Sequence, residues 1–261
     1  MERSKIMGKI IAICNQKGGT GKTTTAVNLS TALALTGEKV LLIDLDPQAN
    51  TTSGLGVNKH EIKRSIYHLL LEQIEAKEVI INTKVENLYL IPSNIDLTGA
   101  EVELVSALGR ENRLKKGLSQ EKENFDFIFI DSPPSLGLLT INALCAAGSV
   151  LIPVQCEYYA LEGLTQLNNT ISLVRENLNP ILCVEGVLLT MADFRTNLTK
   201  EIIQEARNHF KEKVYQTVIP RNIRMSEAPS FGQPIAFYDK ESIGAHKYAD
   251  LAKELLVGGE G

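Results

Sequence analysis

The nine residues Gln16-Lys17-Gly18-Gly19-Thr20-Gly21-Lys22-Thr23-Thr24 constrain this chain more than any other stretch. Upstream, Lys9 to Cys14 is an apolar run of strand length. Downstream, Thr24 to Leu35 repeats apolar residues at helical spacing, with Val27, Leu29, Ala32, Leu33 and Leu35 expected on one buried face. Three glycines between a strand and a helix are the context a phosphate-binding loop needs. Lacking a Cβ, Gly18, Gly19 and Gly21 let successive backbone N–H groups turn inward around phosphate oxygens, and the helix N-terminus adds partial positive charge. In that loop Lys22 neutralises the β- and γ-phosphates, Thr23 supplies the hydroxyl for Mg2+, and Thr24 lies at the α-phosphate. The general pattern G-x-x-x-x-G-K-[ST] puts glycine where this chain has Gln16, and a second lysine, Lys17, follows directly.

Later segments read as alternating strands and helices. Strands are expected over Glu38 to Asp44, Asn87 to Pro92, Phe125 to Asp131, Ser149 to Pro153 and Val184 to Thr190, with Val214 to Ile219 extended. Helices are expected over Ser65 to Leu71, Leu97 to Leu108, Leu138 to Ala147, Leu161 to Leu178, Thr196 to Phe210 and Ser242 to Leu256. Continuous β-branched runs alternating with helices predict an α/β fold, a mostly parallel β-sheet flanked by helices on both faces. Ligands of such sheets bind at the carboxyl ends of the strands. Those ends carry the glycine loop, Asp44 to Asp46 and Asp131 to Pro134. Length and the lack of a Pro/Ser-rich linker favour one domain over residues 1–261, with 1–7 a short flexible extension and 258–261 a flexible tail.

Asp131 closes four apolar residues at a strand end. Alone, such an aspartate serves as a turn cap as readily as a metal ligand; with a phosphate loop upstream, the reading is a Mg2+ carboxylate, held directly or through water. Asp44 and Asp46 are two residues apart and would point to the same side if the strand ran through both. Pro47 and the polar residues after it mark an irregular loop.

Bulk properties narrow the class. The 44% hydrophobic and 22% charged content is that of a globular protein, and no apolar run reaches membrane-span length. Cys14, Cys145, Cys156 and Cys183 are widely spaced without C-x-x-C pairing, which suits buried thiols in a reducing compartment; the expected location is cytoplasmic. A net charge of −4 gives no global attraction to nucleic acid. Between Met191 and Ser226, however, seven basic residues meet four acidic ones, a local excess of three.

The segments K-G-G-T-G-K-T-T, D-L-D-P-Q, F-I-D-S-P-P and R-N-I-R-M-S-E-A-P together resemble the deviant Walker A class of P-loop NTPases, the ParA and MinD superfamily, and within it the Soj-type partitioning ATPases. The resemblance runs from about Gly8 to the end, with Thr20 where many relatives carry valine. It implies that Lys17 reaches across an ATP sandwich dimer to the partner's phosphates. It implies that Asp46 orients the attacking water, with Asp44 supporting the metal. Asp46 to Gly54 and Asp131 to Leu139 then correspond to switch regions. Pro220 and Asn222 fall where the family surrounds adenine. Arg195 and Arg224 match arginines that contact DNA phosphates without reading sequence. The implied cycle is ATP-driven homodimerisation, binding to nonspecific double-stranded DNA on the nucleoid, and slow hydrolysis stimulated by a ParB-type protein.

A membrane-cycling ATPase of the MinD type is the alternative. It needs a C-terminal amphipathic helix with a basic face, whereas Ser242 to Val257 has as many acidic as basic residues, so no stable membrane anchor is expected. An iron–sulfur ATPase would need paired cysteines at a dimer seam, and ATP-dependent ligases with related loops would need a second-substrate signature. Neither is visible here.

Overall fold

A computed structural model describes residues 8–157 and 162–257. The expected extensions 1–7 and 258–261 lie outside the described residues. Seven strands form one sheet in the order β3-β4-β2-β5-β1-β6-β7. They are β1 (Lys9–Ile13), β2 (Val40–Asp44), β3 (Ile81–Asn82), β4 (Leu88–Ile91), β5 (Phe127–Asp131), β6 (Ser149–Gln155) and β7 (Cys183–Thr190). All pairings are parallel except the short edge pair β3–β4. Helices intervene as α1 (Lys22–Leu35), α2 (Asn50–Gly54), α3 (Ile66–Leu71), α4 (Leu97–Leu104), α5 (Arg113–Gly117), α6 (Leu138–Ala146), α7 (Glu162–Asn177), α8 (Asn197–Phe210), α9 (Ile223–Glu227), α10 (Ile235–Tyr238) and α11 (Ile243–Val257).

The central strands are apolar throughout because each feeds two cores. Ile10 and Ala12 of β1, Leu41 and Ile43 of β2, and Ile128 and Ile130 of β5 join the core under α3 to α7. Their neighbours Ile11, Ile13, Leu42, Phe127 and Phe129 join the core under α1 and α11. Burying a side chain of this size stabilises the fold by about 1.5–3 kcal/mol before entropy is counted.

Several sequence expectations shift. Helix α1 does not bury one face alone. Packed between sheet and α11, it buries Ala26 through Ala34 around its whole circumference, while Leu35, expected inside, is 57% exposed. Helix α4 ends at Leu104, not Leu108, in a turn that leads to Gly109 at φ 63°. Val214 to Ile219 runs beside β7 without becoming a strand. It touches the sheet edge through isolated bridges at Val187–Val214 and Ala192–Pro220, where proline has no N–H to give. The loop after Pro47 contains α2, whose N-cap Ala49 is left-handed at φ 54°.

One crossing links distant parts of the chain. Gly56, just past α2, and Gly232, just past the turn following α9, both have positive φ, 74° and 61°. A Cβ on Gly232 would stand 2.6 Å from Gly56 Cα, so two backbones touch with no side chain between them.

Candidate nucleotide site

Parallel pairing aligns the strand ends that carry chemistry. Asp131 stands opposite Ile13 on β1 and opposite Asp44 on β2. The glycine loop leaves β1 at the same level. Gly19 (φ 74°) and Gly21 (φ 87°) take the left-handed backbone that the turn needs. Gly21 is the N-cap of α1 and offers no side-chain cap, which leaves the first amides of the helix available to an anion. The loop is braced from outside: Asn15 Nδ2 donates to Pro153 O at 2.7 Å, and Thr190 Oγ1 donates to Thr20 O at 2.8 Å.

Lys22 is 7% exposed, and its ammonium donates to Lys17 O at 3.2 Å, inside the loop. Burial lowers its pKa, and the carboxylates of Asp131 and Asp46 oppose that effect. Thr23 Oγ1 donates to Asp131 Oδ2 at 2.8 Å, and Thr51 Oγ1 donates to the same oxygen at 2.6 Å. Asp131 Oδ1 is buried and has no hydrogen-bond partner. Burial pushes the Asp131 carboxyl up to about 6. Asp44, fully buried beside it, is also pushed up, by burial first and by Asp131 second. Its Oδ2 accepts both Thr52 N and Thr52 Oγ1, at 2.8 and 2.7 Å.

The strand does not run through both Asp44 and Asp46. The strand stops at Asp44, and Asp46 turns out of it into a half-buried Asx turn, donating its N–H to Asp44 Oδ1 and accepting Gln48 N–H on its own Oδ1. Asp44 is therefore fully buried, while Asp46 is half-buried.

The fit to Mg2+ rests on this donor set. Among the described residues no group of three or more His, Cys, Asp or Glu is placed to hold a metal unaided. A hard cation at Thr23 Oγ1 and Asp131 thus needs phosphate oxygens and water to complete six ligands, as Mg2+ sites on nucleotides do. The unpartnered Asp131 Oδ1 is the acceptor left over for it.

Beside the loop, Gly21, Thr24, Thr190, Pro220, Asn222 and Tyr248 line a cavity of about 600 Å3. The structure thus brings Pro220 and Asn222 to the phosphate loop. Asn222 uses its Oδ1 to cap α9 through Arg224 N–H at 2.8 Å, so the cavity wall and the start of α9 share one residue's side chain.

The Lys17 side chain is engaged with a carboxylate just past the end of β6. Its ammonium pairs with Glu157 Oε2 at 3.3 Å, and Glu157 Oε1 accepts Gln155 Nε2 at 2.7 Å with Arg221 at 3.8 Å. The two arginines expected on DNA are each held in an ion pair. Arg195 forks onto Asp193, whose carboxyl it pulls down to about 2; Arg224 meets Glu227 at 3.1 Å and Asp239 at 3.5 Å.

Comparison with known proteins matches this geometry. A family model described as an AAA domain matches residues 8–184. The sporulation initiation inhibitor protein Soj of Bacillus subtilis is 59% identical over 253 residues, 97% of this chain and all of that protein. The chromosome-partitioning ATPase Soj of Treponema pallidum is 50% identical over 251 residues, covering 96% and 98% of the two chains. This chain belongs to the Soj/ParA family of chromosome-partitioning ATPases. Its fold superposes on cobyrinic acid a,c-diamide synthase from Mycobacterium smegmatis, solved with bound ADP and magnesium, with a TM-score of 0.86 and 37% identity over 97% of this chain and 96% of that one.

In this Soj/ParA-family chain, sequence reasoning missed Thr51, Thr52 and Glu157. The hydroxyl pair Thr51-Thr52, one turn past Asp46, carried a signal, since two adjacent threonines opening a helix beside buried aspartates have little else to bond. Glu157 carried none, because its role depends on where β6 delivers it.

Proposed function

We propose that this chain, working as a single domain, is a Mg2+-dependent ATP hydrolase that uses ATP as a switch for DNA partitioning. The supporting observation is the convergence of Lys22, Thr23, Asp131 and Asp44 on the N-terminus of α1, beside a cavity of nucleoside size. ATP lies with adenine against Pro220 and Asn222 and its phosphates along Gly18, Gly19, Thr20, Gly21 and the first amides of α1. Lys22 faces the β- and γ-phosphates and Thr24 the α-phosphate. Thr23 and Asp131 are the residues that hold Mg2+, with Asp44 fixing the Thr52 side of the site; the ion's contribution is to neutralise charge on the β- and γ-oxygens.

Hydrolysis needs a water in line with the γ-phosphate. Asp46 offers an acceptor carboxylate, half-buried beside the site, suited to orienting that water. Positioning without a strong base makes turnover slow, which suits a timer. Lys17 completes the pocket of a second copy in an ATP sandwich dimer; to do so it must leave Glu157. Dimerisation places two copies of Arg195 and Arg224 on one duplex, where they bind phosphates without reading bases, and a ParB-type protein stimulates turnover and release. The protein is cytoplasmic and nucleoid-associated while ATP-bound.

The test is binding to random duplex DNA with ADP, with ATP and with a slowly hydrolysed analogue across a salt series. Binding confined to the ATP-like states, falling steeply with salt as counterions are released, is expected. Equal binding in all three states refutes the switch.

A further inference from the structure

At the opposite end of the sheet from the glycine loop, where β1, β6 and β7 begin, a second cavity of about 720 Å3 opens. Its charged lining is Lys9, Lys115, Lys122, Lys213 and one carboxylate, Glu185. That carboxylate is already engaged: Oε1 accepts Lys9 Nζ at 2.7 Å, and Oε2 accepts Ser149 Oγ at 2.6 Å. Carbonyl groups at the end of α6 are engaged too. Asn179 Nδ2 donates to Leu144 O and Ala147 O at 2.9 and 2.7 Å. Lys115, Lys122 and Lys213, all exposed, line this one recess and form no ion pair or side-chain hydrogen bond among the described residues, in a protein whose net charge is −4.

The lysines come from three separate pieces of chain. Lys115 sits on α5. Lys122 is held against Gly8, where a Cβ would stand 1.9 Å from Lys122 O, so only glycine lets the two segments pack. Lys213 follows α8, in the turn pinned to β7 by the Val187–Val214 bridge. Between them Ile10, Leu118, Ile181 and Val184 supply apolar wall.

We propose that this cavity binds a small polyanion, a metabolite carrying at least two phosphoryl groups, at a site separate from the nucleotide loop. Three exposed lysines from different elements line the same cavity, and ammonium groups donate to phosphoryl oxygens from any direction. The volume is that of a small-molecule site, and the concave shape suits a compact ligand better than a duplex rod. β1 separates the two sites by its five residues, about 16 Å at 3.3 Å each. The proposal is independent of the partitioning cycle, because it asks nothing of Lys17, Asp46 or the dimer.

The probe is inorganic tripolyphosphate, with orthophosphate beside it, titrated calorimetrically into the Lys22→Ala chain at low salt without divalent cation. One binding event per chain is expected, stronger for tripolyphosphate than for orthophosphate and weakened at least tenfold by adding Lys115→Ala and Lys122→Ala. The surface pair Lys63→Ala and Lys240→Ala should leave it unchanged. Cys183 lines this cavity and is exposed, whereas Cys14, Cys145 and Cys156 are buried, so it reports occupancy directly. Tripolyphosphate should slow iodoacetamide alkylation of Cys183 at least threefold, and circular dichroism of each variant checks that it is folded. The proposal is overturned if the Lys22→Ala chain shows no binding event, if the two lysine pairs weaken it equally, or if random duplex DNA protects Cys183 better than tripolyphosphate does.

Discussion

Replacing Thr51 by valine removes one hydroxyl and almost no volume, and its effect can be worked through from the geometry. Thr51 Oγ1 donates 2.6 Å to Asp131 Oδ2, with both residues buried; the variant leaves Asp131 one donor, Thr23, and an Oδ1 that has none. A hydrogen bond to a buried charged group contributes about 1.5–3 kcal/mol. Burial already lifts the Asp131 carboxyl from 3.8 to about 6, and the Thr51 bond is the largest influence holding it down, so its loss lifts the carboxyl further. Because the folded pKa lies above the unfolded one, the contribution of this group is fully present below about pH 4 and is lost as pH rises through about 6. The full cost of the variant therefore appears at pH 8, where the carboxylate is charged, and only about 1 kcal/mol or less remains at pH 4, where a neutral acid is left. Unfolding entropy of about 2.1 cal/mol/K per residue gives roughly 0.5 kcal/mol per degree for this chain, hence a Tm loss of roughly 3–6 °C at pH 8. Thermal unfolding by circular dichroism, without nucleotide or divalent cation, measures it at both pH values, and Thr51→Ser should recover most of the loss. A loss below 1 °C at pH 8, or an equal loss at both pH values, refutes the shared-oxygen account.

Three further outcomes follow from the site. Lys17→Ala should abolish both the ATP-dependent dimer and turnover while leaving ATP binding to the monomer, read by light scattering and phosphate release; wild-type turnover in that variant means the lysine does not act across a dimer. Asp46→Ala should keep the dimer and lower hydrolysis by roughly 100-fold, as expected for loss of a water-positioning group, so gel filtration with ATP should show a dimer that persists. Arg224→Ala should weaken duplex binding for all sequences alike and reduce the slope of log K against log salt by about one; a change in sequence preference would point to base contact instead.

The sheet was legible because its strands are apolar on both faces, so their runs stand out without help from periodicity. The glycine loop was legible for the opposite reason, since its backbone demands leave few residue types possible. Helix α1 was placed correctly, but its burial was misjudged, because the covering of its outer side by α11 is a contact between residues more than two hundred positions apart. Asp44 and Asp46 were given different roles by resemblance alone; their spacing could not show that β2 stops at Asp44, which depends on Asp46 closing a turn through Gln48. The carboxylate clasps on Lys17, Arg195 and Arg224 were not read from the sequence. Glu157 and Asp239 carry no pattern until the fold sets each acid beside its base, whereas Asp193 and Glu227 sit within three residues of theirs.

The bare crossing of Gly56 and Gly232 bears on how this chain tolerates alteration. Surface connections ordinarily accept inserted residues, tags and shortened loops with little penalty. Here two connections meet main chain to main chain, with 2.6 Å between Gly56 Cα and the place a methyl would occupy on Gly232, so neither can be lengthened, bulked or relabelled without prying its counterpart away. Fluorescent fusions or affinity handles belong elsewhere on the surface, and a library of loop variants should return both glycines intact.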